Sequence, residues 1–195
     1  MAKKESTFGS MLTTLSVVAL ISAGLLGSVY ALTKEPIRLA ELKKKNEAIE
    51  SVISDFDNAP SEDYIKYGVD GDTVILYKAT LNGEPAGTAV ETFTNNGFSG
   101  YFKLMVGFDP LGNITDIAVI SHSETPGLGD KMDAAKSDFH VQFMGKNPAD
   151  FKLMVKKDKG DVDAITASTI SSRAYCDAVQ RAYDALVATG LVSNE

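Results

Sequence analysis

The sequence predicts an α+β protein: an N-terminal transmembrane helix followed by a domain with an antiparallel sheet and a C-terminal helix. Three observations carry this expectation. An uncharged apolar run fills residues 11–32. Segments rich in β-branched and aromatic residues, separated by Asn-Gly and Asp-Pro turns, follow from Thr73. The last long periodic segment, residues 172–189, has helical spacing and stops at Gly190. A chain of 195 residues suffices for one ordinary domain and an appendage.

Residues 1–10 form a short arm containing Lys3 and Lys4. Val17, Val18, Leu20, Ile21, Leu25, Leu26 and Val29 make residues 11–32 apolar. At about 1.5 Å per residue, a helix of this length matches the ~30 Å hydrocarbon core of a bilayer. A cleavable signal peptide competes, because Val29-Tyr30-Ala31 loosely resembles a cleavage site. The run exceeds the roughly 7–15 residues of a signal core, however, which favours a retained single-pass anchor. Residues 33–63 read as a helical stalk and linker. Pro36 suits a first helical turn, and Ile49, Val52, Ile53 and Phe56 fall on one helix face before the turn-forming run 57–63.

The domain is expected over residues 64–195. Strands are predicted at 74–81, 86–92, 101–108 and 114–120, joined as a meander through Asn82-Gly83, Asn96-Gly97 and the 109–113 turn. A short helix at 131–137 and a strand at 152–155 complete the expectation before the final helix. That helix carries Ala174, Tyr175, Ala178, Val179, Ala182, Leu186 and Val187 on a mostly apolar stripe.

Charge excludes one class of partner. The net charge is −7, and the first fifty residues hold seven Lys or Arg against five Asp or Glu, leaving twelve against twenty-one for the remainder. So acidic a domain does not suit nucleic acid. His122 and His140 lack the surrounding ligands that zinc requires, so no metal site is expected. Neither a G-x-G-x-x-G nor a Walker pattern occurs, and His122-Ser123-Glu124 alone does not make a hydrolytic triad. Cys176, the single cysteine, reads as a small apolar filler of the last helix.

The chemistry concentrates in residues 163–173, where Thr166, Ser168, Thr169, Ser171 and Ser172 crowd the mouth of the last helix. Unpaired N–H groups and the helix dipole favour an anionic phosphate there, beside hydroxyls able to form an ester. The plain alternative is that these hydroxyls only cap the helix. Arg173 argues against a cap alone, since a cation in the first turn opposes the dipole unless a phosphate lies near. A second segment, Ser121 to Gly129, places Pro126 in a turn between His122-Ser123-Glu124-Thr125 and the flexible Gly127-Leu128-Gly129.

Together these segments resemble a known family. Residues 163–169 resemble the D-x-x-[ST]-G-A-[ST] flavinylation motif of FMN-binding subunits in membrane redox complexes, with Ala167 in place of Gly and Ser168 in place of Ala. Residues 122–129 resemble the loop written H-x-E-T-P-G-L-G in the same proteins. The continuation Ile170-Ser171-Ser172-Arg173-Ala174 is similar to that of G subunits of Rnf complexes.

The resemblance implies FMN held by a phosphoester to Thr169, with Glu124, Thr125, Gly127, Leu128, Ser168 and Ile170 around the cofactor. Ser168 is a second potential acceptor. The resemblance also implies an electron-transfer subunit without independent turnover, in a ferredoxin:NAD oxidoreductase coupled to Na⁺ or H⁺ translocation. Its partners are the other membrane subunits, the lipid bilayer and a flavin transferase that uses FAD. The flavin domain is implied on the extracytoplasmic side, although Lys34, Arg38, Lys43, Lys44 and Lys45 after the span would place it in the cytoplasm by the positive-inside rule. Two alternatives are the C subunit of the Na⁺-translocating NADH:quinone reductase and a non-redox membrane-tethered assembly or binding protein.

Overall fold

The computed structural model describes residues 7–69 and 71–192. Residues 1–6 of the expected arm, together with 70 and 193–195 of the expected domain, lie outside the described residues. The chain divides between Lys43 and Lys44 into two compact units.

The first helix, α1, runs from Phe8 to Val52. In the first unit its large apolar side chains, including Leu15, Leu20, Leu25 and Leu26, are exposed on all sides. Its best 18-residue window has a mean hydropathy of 2.1 with none of it buried, which makes it a candidate membrane span. Several hydroxyls return to the helix's own carbonyls, Thr14 to Ser10 at 2.8 Å, Ser28 to Gly24 at 2.7 Å and Thr33 to Val29 at 2.8 Å. Such internal pairing is what an environment without water demands of a polar group. Pro36 lies inside α1 instead of opening a second helix. Good helix formers and the Glu35–Arg38 ion pair at 2.9 Å flank it, so helix continues past the one donor that proline removes.

The second unit, from Lys44, is built on five antiparallel strands in the sequential order β1–β5. They are β1 (Tyr64–Val69), β2 (Asp72–Leu81), β3 (Glu84–Gly97), β4 (Gly100–Phe108) and β5 (Ile114–Ser121). Asn82 and Gly83, with φ of 54° and 84°, make the two-residue β2–β3 turn that their sequence predicts. Asn96-Gly97 is not a turn: β3 continues to Gly97, and Phe98-Ser99 form the reversal.

Both faces of the sheet are covered. The final helix, α2 (Thr169–Ala188), packs on one face, where Ala174, Ala178 and Ala182 approach closely and the Thr92 hydroxyl donates to the Ala178 carbonyl at 2.9 Å. On the other face, Ile49, Val52 and Ile53 pack with Tyr77, Ala79, Ala89 and Met105. The 49, 52, 53 periodicity thus marks a face that the sheet buries, and α1 ends at Val52, before Phe56. Gly107 of β4 leaves room for the Val52 carbonyl, which accepts from the Thr115 hydroxyl at 2.5 Å.

Glu91 is 6% exposed and accepts from Tyr77 and Lys103, each at 2.9 Å, with Lys45 at 3.5 Å.

The expected helix at 131–137 is instead a 3-10 turn, Gly129–Met132, followed by tighter turns. The Asp133 side chain accepts from Ala135 N–H at 2.9 Å and competes with a helix there. The expected strand at 152–155 reduces to a single parallel bridge between Val155 and Val162.

Candidate functional site

α2 starts at Thr169, three residues before its predicted start, so Thr169 occupies the first helical position and Ser168 the cap. Ser168 is only 6% exposed, and its side chain makes no capping hydrogen bond. Ser172 organises the loop instead. Its hydroxyl donates to the Ser168 carbonyl at 3.0 Å and accepts from Ile165 N–H at 2.9 Å. Ser171 donates to Glu124 at 2.8 Å. Among the described residues the Thr169 hydroxyl makes no hydrogen bond, and its residue is partly exposed. The hydroxyl cluster therefore does more than cap a helix.

Ala167 has φ of 60°, the left-handed conformation for which glycine is the usual choice. Arg173 does not serve the helix mouth as its position suggested. It forms two bonds with Asp158, at 2.6 and 2.8 Å, which hold the aspartate below the usual carboxylate range.

The loop after β5 supplies a second wall. Glu124 is 5% exposed, and its backbone N–H donates to His122 Nδ1 at 3.1 Å. Gly127, with φ of 80°, turns the loop so that Leu128 N–H donates to the Thr125 carbonyl at 3.1 Å. Asp130 braces it: the 2.6 Å bond from Lys136, aided by the Gly127 N–H, holds its carboxyl below the ordinary range.

The β3–β4 reversal supplies the third wall, because Ser99 N–H donates to Glu124 at 3.0 Å and brings Phe98 to the rim. Between these walls lies a cleft of about 280 Å³ lined by Thr169, Ser168, Ile170, Glu124, Thr125 and Leu128, with Phe98, Gly129, Ala167 and Ser171. Six of the seven residues singled out in the sequence share this cleft; Gly127 shapes the loop without lining it. A larger cavity of about 700 Å³ lies along the next part of α2, lined by Phe151, Met154 and the Arg173–Asp158 pair, but it contains neither motif.

The FMN-binding domain family matches residues 97–184, a span that contains all three walls. The G subunit of an ion-translocating oxidoreductase complex from Shewanella baltica is 36% identical over 179 residues, covering 86% of this chain and 84% of its own. The chain belongs to the family of G subunits of ion-translocating oxidoreductase complexes. The corresponding G subunit from Vibrio cholerae is 35% identical over 181 residues, covering 87% of this chain and 86% of its own. Among solved structures, the crystal structure of Shewanella oneidensis NqrC aligns with a TM-score of 0.43 at 20% identity, over 66% of this chain and 67% of that one.

In this member of the G-subunit family, sequence reasoning did not place Gly129, Ala167 or Ser171 at the cofactor, and it missed Phe98, a lining residue outside both segments. Phe98 is 66% exposed. The available signal was an aromatic residue in the tight Gly97-Phe98-Ser99-Gly100 reversal, where it contributes little to a core.

Proposed function

We infer that this chain is a membrane-anchored electron-transfer subunit whose FMN is esterified through its phosphate to Thr169. The observation that carries the reading is the Thr169 hydroxyl, without an internal partner at the first position of α2, in a cleft shared with Glu124, Thr125, Leu128 and Phe98. Its neighbour Ser168 lines the same cleft but is only 6% exposed, which favours Thr169 as the acceptor. The first-turn N–H groups and the helix dipole favour a phosphate beside that hydroxyl. In attachment, the Thr169 oxygen replaces the AMP portion of FAD at the FMN phosphorus, releasing AMP and the hydroxyl proton; a flavin transferase catalyses this exchange.

Bound FMN supplies the electron-accepting and electron-donating chemistry. The chain contributes a tether at Thr169, apolar surface from Phe98, Leu128 and Ile170, and a fixed carboxylate at Glu124. The cleft is near the lower limit of the ~300–1,000 Å³ usual for ligand pockets, which suits a tethered cofactor left partly open to a redox partner. Residues 11–32 hold the protein in the cell membrane among the other subunits of an Rnf-type complex, with the flavin domain on the extracytoplasmic side.

The test is co-expression with a flavin transferase, followed by intact-mass measurement and in-gel flavin fluorescence. Wild type and Ser168→Ala are expected to gain one FMN, and Thr169→Ala none. Denaturation-resistant fluorescence in Thr169→Ala refutes the acceptor, and a flavin-free wild type refutes the cofactor. Protease digestion of the domain only from the cytoplasmic face of sealed vesicles refutes the orientation.

A further inference from the structure

Glu124 is buried where the three walls of the cleft meet. Each of its carboxylate oxygens accepts one hydrogen bond, Oε1 from Ser99 N–H at 3.0 Å and Oε2 from the Ser171 hydroxyl at 2.8 Å. Both carboxylate oxygens are thereby engaged, one by a backbone N–H and one by a hydroxyl. Two glycines leave it space: a Cβ at Gly97 would lie 2.7 Å from Oε1, and one at Gly129 would overlap Oε2 and the Ser171 hydroxyl. The carboxylate is therefore held in place. Among the described residues the cleft lining contains no Lys, Arg or His, and the first turn of α2, the positive end of its dipole, adjoins the carboxylate through Ser171.

We propose that Glu124 is a potential-setting residue, a fixed negative charge that disfavours electron uptake by a flavin in this cleft. The inference rests on the reading that FMN occupies the cleft. A charge on a partly desolvated wall acts through a lower effective dielectric than water, so an added electron meets a repulsion that a neutral side chain would not supply. Glu124→Gln preserves the shape: its carbonyl still accepts from Ser99, and its amide can donate to the Ser171 oxygen. Ser171→Ala removes one donor and keeps the charge. Glu124→Asp keeps the charge on a shorter side chain.

The experiment is a spectroelectrochemical titration of the full chain in detergent, flavinylated by co-expression with the transferase and matched for flavin content. At a fixed potential, Glu124→Gln is expected to raise the ratio of reduced to oxidised flavin about tenfold, equivalent to ~30 mV for a two-electron couple. Ser171→Ala and Glu124→Asp are expected to stay within about threefold of wild type on the same scale. A Glu124→Gln ratio within threefold of wild type overturns the proposal. An equal shift in Ser171→Ala also overturns it, because geometry would then set the potential. If Glu124→Gln takes no flavin while Glu124→Asp does, the charge serves attachment and the proposal falls. Absence of flavin from wild type, visible in the gel before any titration, overturns the cofactor reading as well.

Discussion

Replacing Ala167 with glycine is expected to stabilise the protein, although it deletes a methyl group. Ala167 holds φ of 60° on the approach to α2, and an L-residue in that region costs roughly 1–2 kcal/mol. Glycine removes the strain but loses more backbone freedom on folding, which returns about 0.5–1 kcal/mol. The methyl is exposed, so little burial is forfeited. The balance favours Ala167→Gly by about 0.5–1 kcal/mol, or a Tm increase of roughly 1–4 °C for a chain of this size. Thermal unfolding of the flavin-free full chain in detergent, followed by near-ultraviolet circular dichroism, measures it. Ala164→Gly is the control, since Ala164 is also exposed but has no positive φ. It is expected to lose about 0.5–1 kcal/mol. Equal losses in both variants would refute the strain argument.

Two further outcomes follow from buried groups. Burial pushes the Glu91 carboxyl upward, but the hydrogen bond and charge of Lys103, with help from Lys45 and Tyr77, bring it below its ordinary value of 4.5. A depressed carboxyl contributes its full stability above the unfolded value and loses it as pH falls through the folded one. The stability advantage of wild type over Glu91→Gln in urea unfolding is therefore expected to shrink below pH 4.5, and an advantage unchanged from pH 7 to pH 3 would refute the network's ionic character. Burial also pushes the Cys176 thiol up to about 12. At pH 8 only about one molecule in 10⁴ would carry a thiolate, so iodoacetamide is expected to spare native protein and label urea-unfolded protein; comparable labelling rates would show that the α2 packing is wrong.

Sequence legibility tracked how local each signal was. The interiors of β2, β4 and β5 show in runs such as Val74-Ile75-Leu76 and Met105-Val106-Gly107-Phe108, and the Asn82-Gly83 turn shows in its own residues. β1 did not, because Tyr64–Val69 contains Lys66 and Gly68 and becomes a strand only through pairing with β2. The end of β3 was hidden by Asn95-Asn96-Gly97, whose turn-like chemistry yields to pairing of Gly97 with Gly100. In the cleft, the two segments containing Glu124 and Thr169 stand out as motifs. The bond joining Glu124 to Ser99 spans 25 residues and the one to Ser171 spans 47, so neither has a local sequence pattern. Phe98 was missed for the same reason, since its place at the rim depends on the Ser99 contact.

The packing of α2 on β3 also has a consequence during synthesis. The Thr92–Ala178 bond that marks this packing joins residues 86 positions apart. At roughly 5–20 residues per second, a ribosome takes about 4–17 s to make the intervening chain. The meander can pair through its short turns in far less time. For those seconds Val90, Phe102 and Leu104 form an apolar surface whose covering helix has not been made. A holdase that binds nascent chains is therefore expected to meet this protein at the α2-facing side of its sheet and to lose its grip as residues 169–188 emerge.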